Sequence, residues 1–148
     1  QNLKTIMTAY AKLRIAIIAG NVHQDITDAM VATAKKSIED SGAVVAALEL
    51  VPGSYEVVPL TKELMQRSDI DAIVVLGAIE KGETHNGLVM GQVVHQSIMN
   101  LQLEYGKPVG LGIIGPGATP KQMHERKIKA AQNAARAALF MAERKRKG

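Results

Sequence analysis

Asp71-Ala-Ile-Val-Val-Leu-Gly77 sets an unbroken apolar run between an aspartate and a glycine. With no polar residue alternating through it, the run reads as a strand buried on both faces, the signature of a parallel sheet. Arg14-Ile-Ala-Ile-Ile-Ala-Gly20 repeats the pattern upstream, and Val109 to Ile114 repeats it downstream. Val44 to Val51 is a fourth strand candidate, weakened by its alanines and closed by Pro52-Gly53. Helical spacing fills each interval. Ile26, Met30, Ala34 and Ile38 recur every four residues, with Asp25 placed to cap, Asp28 in the first turn and Gly42 at the stop. Residues 56–66 carry Pro59 near the start and Leu60 and Leu64 on one face. From Gly87 to Leu103 the face is Met90, Val94, Ile98 and Leu101, ended by Gly106-Lys-Pro108. A last helix begins with Thr119 as cap, Pro120 in the first position and Gln122 completing a capping box. Its face, Ile128, Ala131, Ala135 and Ala138, is poor in bulk, which predicts close packing on another element.

Strand and helix alternate four times, so the crossovers are right-handed and the sheet parallel. The expected architecture is a three-layer α/β/α, flavodoxin-like domain over residues 13–148, with a four-stranded parallel sheet. Residues 1–12 stand outside it as an arm, suited to adding a strand to a neighbouring subunit's sheet. The chain of 148 residues has the size of one domain and shows no linker or repeat. It is 47% hydrophobic with one Phe, three Tyr and no Trp, so its core is built from Val, Ile, Leu, Ala and Met. The absence of cysteine excludes disulfides and thiolate chemistry. A cytoplasmic protein is expected, without secretion signal or membrane span. Net charge is +4, with Arg144-Lys145-Arg146-Lys147 at the end. That tail reads as a frayed, solvated terminus, and no aromatic platform supports a nucleic-acid partner.

Ligands of open parallel sheets bind beyond the carboxyl ends of the strands. Four segments qualify: 20–25, 51–56, 77–87 and 115–119. Gly77-Ala-Ile-Glu-Lys-Gly82-Glu-Thr-His-Asn-Gly87 frames polar residues with three glycines. It is either an anion cradle of backbone N–H groups aided by the Thr84 hydroxyl, or a tight connection whose glycines relieve strain. It is neither a Walker A loop nor a dinucleotide fingerprint. Gly115-Pro-Gly117 is a rigid turn or a ligand wall, and Arg126 beyond it carries a fork suited to phosphate. Ser54, Tyr55 and Glu56 offer a hydroxyl, a ring and a carboxylate that would read a polyol, or a half-buried filler and a first-turn acid. The four histidines show no metal-ligand spacing. His85, in the glycine loop, is the proton-transfer candidate; His23 lies in another edge loop, and His95 and His124 read as structural or exposed.

Taken together these motifs resemble the lumazine synthase family, especially its short archaeal form, over roughly residues 14–142. Val51-Pro-Gly-Ser-Tyr-Glu-Val-Val-Pro59 is similar to the family's V-P-G-x-[FY]-E-[IV]-P signature, one residue looser near its end. Gly77-Ala-Ile and Gly82-Glu-Thr84 match its glycine loop, and Tyr105 to Val109, Gly112 to Gly117 and Glu125-Arg126 resemble the archaeal pattern. The resemblance implies condensation of 5-amino-6-(D-ribitylamino)uracil with 3,4-dihydroxy-2-butanone 4-phosphate, late in riboflavin formation, with no metal or redox cofactor. It implies phosphate contacts at Gly82, Glu83, Thr84 and Arg126. Substrate contacts follow at Val22, Ser54, Tyr55, Glu56, Ala78, Ile79, Glu80 and Leu111. It implies a homo-pentamer or a sixty-subunit icosahedral shell, with sites between adjacent subunits. Two positions depart from the family. Val22 stands where an aromatic ring stacks on the pyrimidine, followed by His23 in place of asparagine. The family's proton-transferring histidine falls on Asn86, with His85 one position earlier, so His85 and Asn86 are the catalytic candidates. Two other readings follow: a shell-forming or ligand-binding homologue on the same scaffold, and an unrelated flavodoxin-like module binding a nucleotide.

Overall fold

In a computed structural model that describes residues 9–148, the four apolar runs become β1 (Arg14–Gly20), β2 (Val44–Val51), β3 (Ala72–Glu80) and β4 (Val109–Ala118). All pair in parallel, in the order β2-β1-β3-β4. The intervening helices are α1 (Gln24–Asp40), α2 (Ser54–Met65), α3 (Asn86–Tyr105) and α4 (Pro120–Lys147). Alternate residues of the central strands feed opposite layers, as the period of two requires. Ile15, Ile17 and Ala19 pack with α1 and α4 through Met30, Ile38, Ala131 and Ala138. Ala16, Ile18 and Val75 pack with α2 and α3 through Val57, Leu64, Val94 and Ile98. The alanines of β2 have a plain cause: it is the sheet's edge strand, and Val44, Leu48 and Leu50 remain exposed.

The alanine-rich face of α4 packs as closely as expected. A Cβ at Gly110 would lie 1.9 Å from the Ala134 carbonyl oxygen, and one at Gly112 would lie 2.9 Å from the Ala134 methyl. Glycines on the strand and alanines on the helix thus set the separation of the two layers. Ile128, by contrast, is exposed. The capping box at Thr119 and Gln122 forms in both directions.

Three expectations are corrected. His23, not Asp25, holds the cap position of α1, and no side chain bonds there; the Asp25 carboxylate instead stands 3.4 Å from His124 Nε2 on α4. β3 and β4 run on to Glu80 and Ala118, which pair with each other. The basic tail is helical to Lys147. Lys145 Nζ donates to the Gly106 carbonyl at 2.6 Å, and Arg146 donates to the Ala11 carbonyl at 2.6 Å while pairing with Glu143. Lys107, almost buried, donates to the carbonyls of Arg67 at 2.5 Å and Leu64 at 3.4 Å. Each helix runs opposite to the strands, so helix carboxyl termini gather at this amino edge of the sheet. Cations belong there, against the last unpaired carbonyls. Burial, and then the neighbouring Lys145, push the Lys107 ammonium below its ordinary pKa.

Residues 9–12 form turns, with the Tyr10 N–H donating to the Ser41 carbonyl. The rest of the expected arm lies outside the described residues. Among the described residues no helix is long and apolar enough to cross a membrane.

Candidate functional site

The chain leaves β1 toward β2 on one side and reaches β4 from β3 on the other, so the sheet's switch point lies between β1 and β3. Loops diverge there and leave space beyond the strand ends. Two adjoining clefts occupy it. The smaller, about 270 Å³, is bounded by Val22 and His23, by Ser54, Tyr55 and Glu56 from the start of α2, and by Ala78, Ile79 and Glu80 at the end of β3. The larger, about 410 Å³, is bounded by Lys81, Gly82, Glu83, Thr84 and His85 and closed by Pro116 and Gly117. Glu80 and Gly87 border both.

Backbone bonds fix these walls. Asn21 N–H donates to the Val51 carbonyl at 2.8 Å, Thr27 N–H to the His23 carbonyl at 2.9 Å, and the buried Thr27 hydroxyl to the Gly20 carbonyl at 2.9 Å. Asn21 Oδ1 is buried beside them without a partner among the described residues. Lys81 N–H donates to the Ala118 carbonyl at 2.8 Å, which seats the glycine loop on β4. Pro116 rests against Gly91 of α3, where a Cβ would come within 2.6 Å of its ring. The turn at 115–117 is therefore both rigid and a wall.

The glycines of the loop separate into two kinds. None of Gly77, Gly82 and Gly87 has a left-handed backbone, so strain relief does not explain them. Gly87 lets α3 approach β3: a Cβ there would lie 3.0 Å from the Glu80 carbonyl. Gly82 faces open space, with nothing of the chain within 4 Å of an added Cβ. Its missing side chain leaves the backbone bare beside the larger cleft. Thr84 Oγ1 accepts from the Asn86 N–H at 3.3 Å, which leaves the Thr84 hydroxyl proton free to donate. Beyond it α3 begins, and a helix amino terminus favours an anion.

The two catalytic candidates part company. His85 is the cap residue of α3, makes no capping bond through its side chain, and lines the larger cleft. Asn86 is the first helical residue and lines neither cleft. Ser54 and Ile79 are both buried, whereas Val22 and Tyr55 expose apolar surface at the mouth of the smaller cleft. Two expected contacts are not brought to the site by one chain. Leu111 sits mid-strand opposite Val75, partly buried against the α2–α3 core. Arg126 is exposed on α4 and borders neither cleft. The position of His23 in the smaller cleft, with Nε2 3.8 Å from Glu80 Oε2, and of Lys81 and Leu88 in the larger, was not resolved by sequence reasoning. Their signal is adjacency to a strand end. Among the described residues, no three histidine or carboxylate side chains gather to hold a metal ion.

Residues 12–146 match the sequence model of the 6,7-dimethyl-8-ribityllumazine synthase family. The chain is 41% identical over 136 residues to the 6,7-dimethyl-8-ribityllumazine synthase of Methanopyrus kandleri, covering 92% of this chain and 96% of that protein. It is 37% identical over 141 residues to that of Sulfolobus acidocaldarius, covering 95% of this chain and 89% of that protein. With the enzyme of Metallosphaera sedula the identity is 39% over 136 residues, covering 92% and 90%.

Proposed function

The chain belongs to the 6,7-dimethyl-8-ribityllumazine synthase family, and from that premise we propose how its two clefts divide the work of the reaction. The protein is a transferase of riboflavin biosynthesis. It joins 5-amino-6-(D-ribitylamino)uracil to 3,4-dihydroxy-2-butanone 4-phosphate. The smaller cleft receives the ribityl-pyrimidine. Ser54 and Glu56 offer the hydroxyl and carboxylate that a ribityl chain and ring edge require, and Tyr55 and Val22 give apolar surface to the ring's faces. The larger cleft receives the phosphorylated ketone, with its phosphate on the bare backbone at Gly82, the Thr84 hydroxyl and the start of α3. Glu83 lies in the same phosphate loop, and His85 exchanges protons in the role that Asn86 cannot fill.

The observation that carries this reading is the shared wall. Two clefts that meet at Glu80 and Gly87 hold two partners within reach of each other. Such positioning supplies up to about 7–11 kcal/mol of a bimolecular barrier. The remaining contacts come from a second copy. An exposed Arg126, absent from its own chain's cleft, fits a phosphate site completed by the neighbouring subunit, and Leu111 belongs to the same wall. The exposed apolar residues of β2 and of α3, including Leu88, Val93 and Leu103, provide surface for a pentamer, or for the shell of sixty subunits built from pentamers.

Product formation from the two substrates tests the function. The parent chain turns over, His85→Ala lowers the rate by about 10²–10⁴-fold, and Asn86→His remains active. No turnover by either the parent or Asn86→His contradicts the assignment.

A further inference from the structure

We propose that His23, paired with Glu80, is a second proton-transfer device of this enzyme, placed where the two clefts meet. The inference rests on the synthase reading above and adds a catalytic residue to it. Among the described residues His23 is the histidine lining the smaller cleft, and Glu80 borders both clefts. The pair stands at 3.8 Å between Nε2 and Oε2. Substrate commonly tightens such catalytic pairs. The placement is not accidental to a loose loop. Residues 21–23 are tied on both flanks by the Asn21–Val51, Thr27–His23 and Thr27–Gly20 bonds. His23 occupies a cap position, yet only its carbonyl bonds to the helix and its side chain gives no capping bond, so the ring has no structural employment there.

Condensation needs a proton carrier at this junction. The pyrimidine's 5-amino group, in the smaller cleft, adds to the ketone carbon reaching in from the larger, forming a carbinolamine. Protonated His23 gives its proton to the carbinolamine hydroxyl. The C–O bond breaks, water leaves, and the nitrogen lone pair forms the C=N bond. The proton then lost from nitrogen returns to the His23–Glu80 pair, which ends as it began. No oxidant or co-reactant enters. The other titratable groups around the ring are Tyr55 and Glu56 from α2; Asp25, on the ring's own helix, is turned toward His124. His85 acts on the phosphate side of the shared wall.

Steady-state kinetics on the assembled protein test the dyad, with the two substrates varied in turn. His23→Ala is expected to lower kcat by about 100-fold while leaving each KM within about threefold. Free imidazole is expected to restore part of that loss, which it would not do if the ring only supported the loop. Glu80→Gln is expected to lower kcat by about tenfold, without a gain from imidazole. A His23→Ala chain that retains the parental kcat, or whose loss imidazole leaves untouched, overturns the dyad and leaves the synthase reading standing. Absence of product from the parent chain overturns both.

Discussion

The two edges of the sheet are made by the same four strands and treat polar groups in opposite ways. At the amino edge, Lys107, Lys145 and Arg146 each meet a backbone carbonyl, and the helix carboxyl termini gather around them. At the carboxyl edge, the side chains of His85 and His23 make no capping bond to the helices they precede, Gly82 faces open space, and Arg126 stands outside its own chain's clefts. At one edge basic side chains close the fold on backbone carbonyls; at the other the His85 side chain and the Arg126 guanidinium are left for something else to meet. A count of basic residues cannot tell these uses apart; the partner atom does.

Two glycines sharpen the contrast most. At Gly110 the neighbour is a helix backbone that cannot yield, so Gly110→Ala is expected to cost about 3 kcal/mol of stability, read as a lowered denaturant midpoint. Gly82→Ala touches nothing of its own chain. It is expected to leave that midpoint within about 0.5 kcal/mol while raising KM for the phosphorylated substrate. Equal destabilisation by both would erase the distinction. Next in size is Lys107→Ala, which strips donors from two carbonyls beneath α2 and is expected to cost about 1–3 kcal/mol with kcat unchanged.

The smallest effect is a pH dependence at the same lysine. Its folded pKa lies below the ordinary 10.5, so between the folded value and 10.5 the unfolded chain binds more protons than the folded one. Stability therefore rises with pH through that window, and the cost of charging Lys107 in its buried place is complete below the folded pKa. Denaturant titrations of the parent and Lys107→Met across that window are expected to show the rise in the parent alone. A parallel rise in both would assign it to other groups.

Much of this was legible in the residues. The unbroken runs in β1 and β3 announced strands covered on both faces, and the small residues of α4 announced close packing, which Gly110 and Gly112 complete. The capping box at Thr119 read correctly because it is local chemistry. Asp25 misled because its alternative, the meeting with His124, is made between helices far apart in sequence. The tail misled for the same reason: Lys145 and Arg146 find carbonyls at Gly106 and Ala11 that no window of sequence displays beside them. In the site, His85 was visible in the glycine loop, but which of residues 85 and 86 faces the cleft depends on where α3 begins. The pairing of His23 with Glu80 required β1 and β3 to be adjacent, a fact of topology rather than of spacing.

The claim on which the catalytic account turns is that each site is shared, with the glycine loop from one copy and Arg126 from the next. Co-expression of His85→Ala with Arg126→Ala tests it directly, because each variant alone spoils every site. Random mixing leaves both groups intact in about a quarter of the sites of a closed ring, so the mixed assembly is expected to recover a corresponding share of parental activity. A mixture no more active than its two components, with both chains present in the same particle, would contradict a site built from two copies.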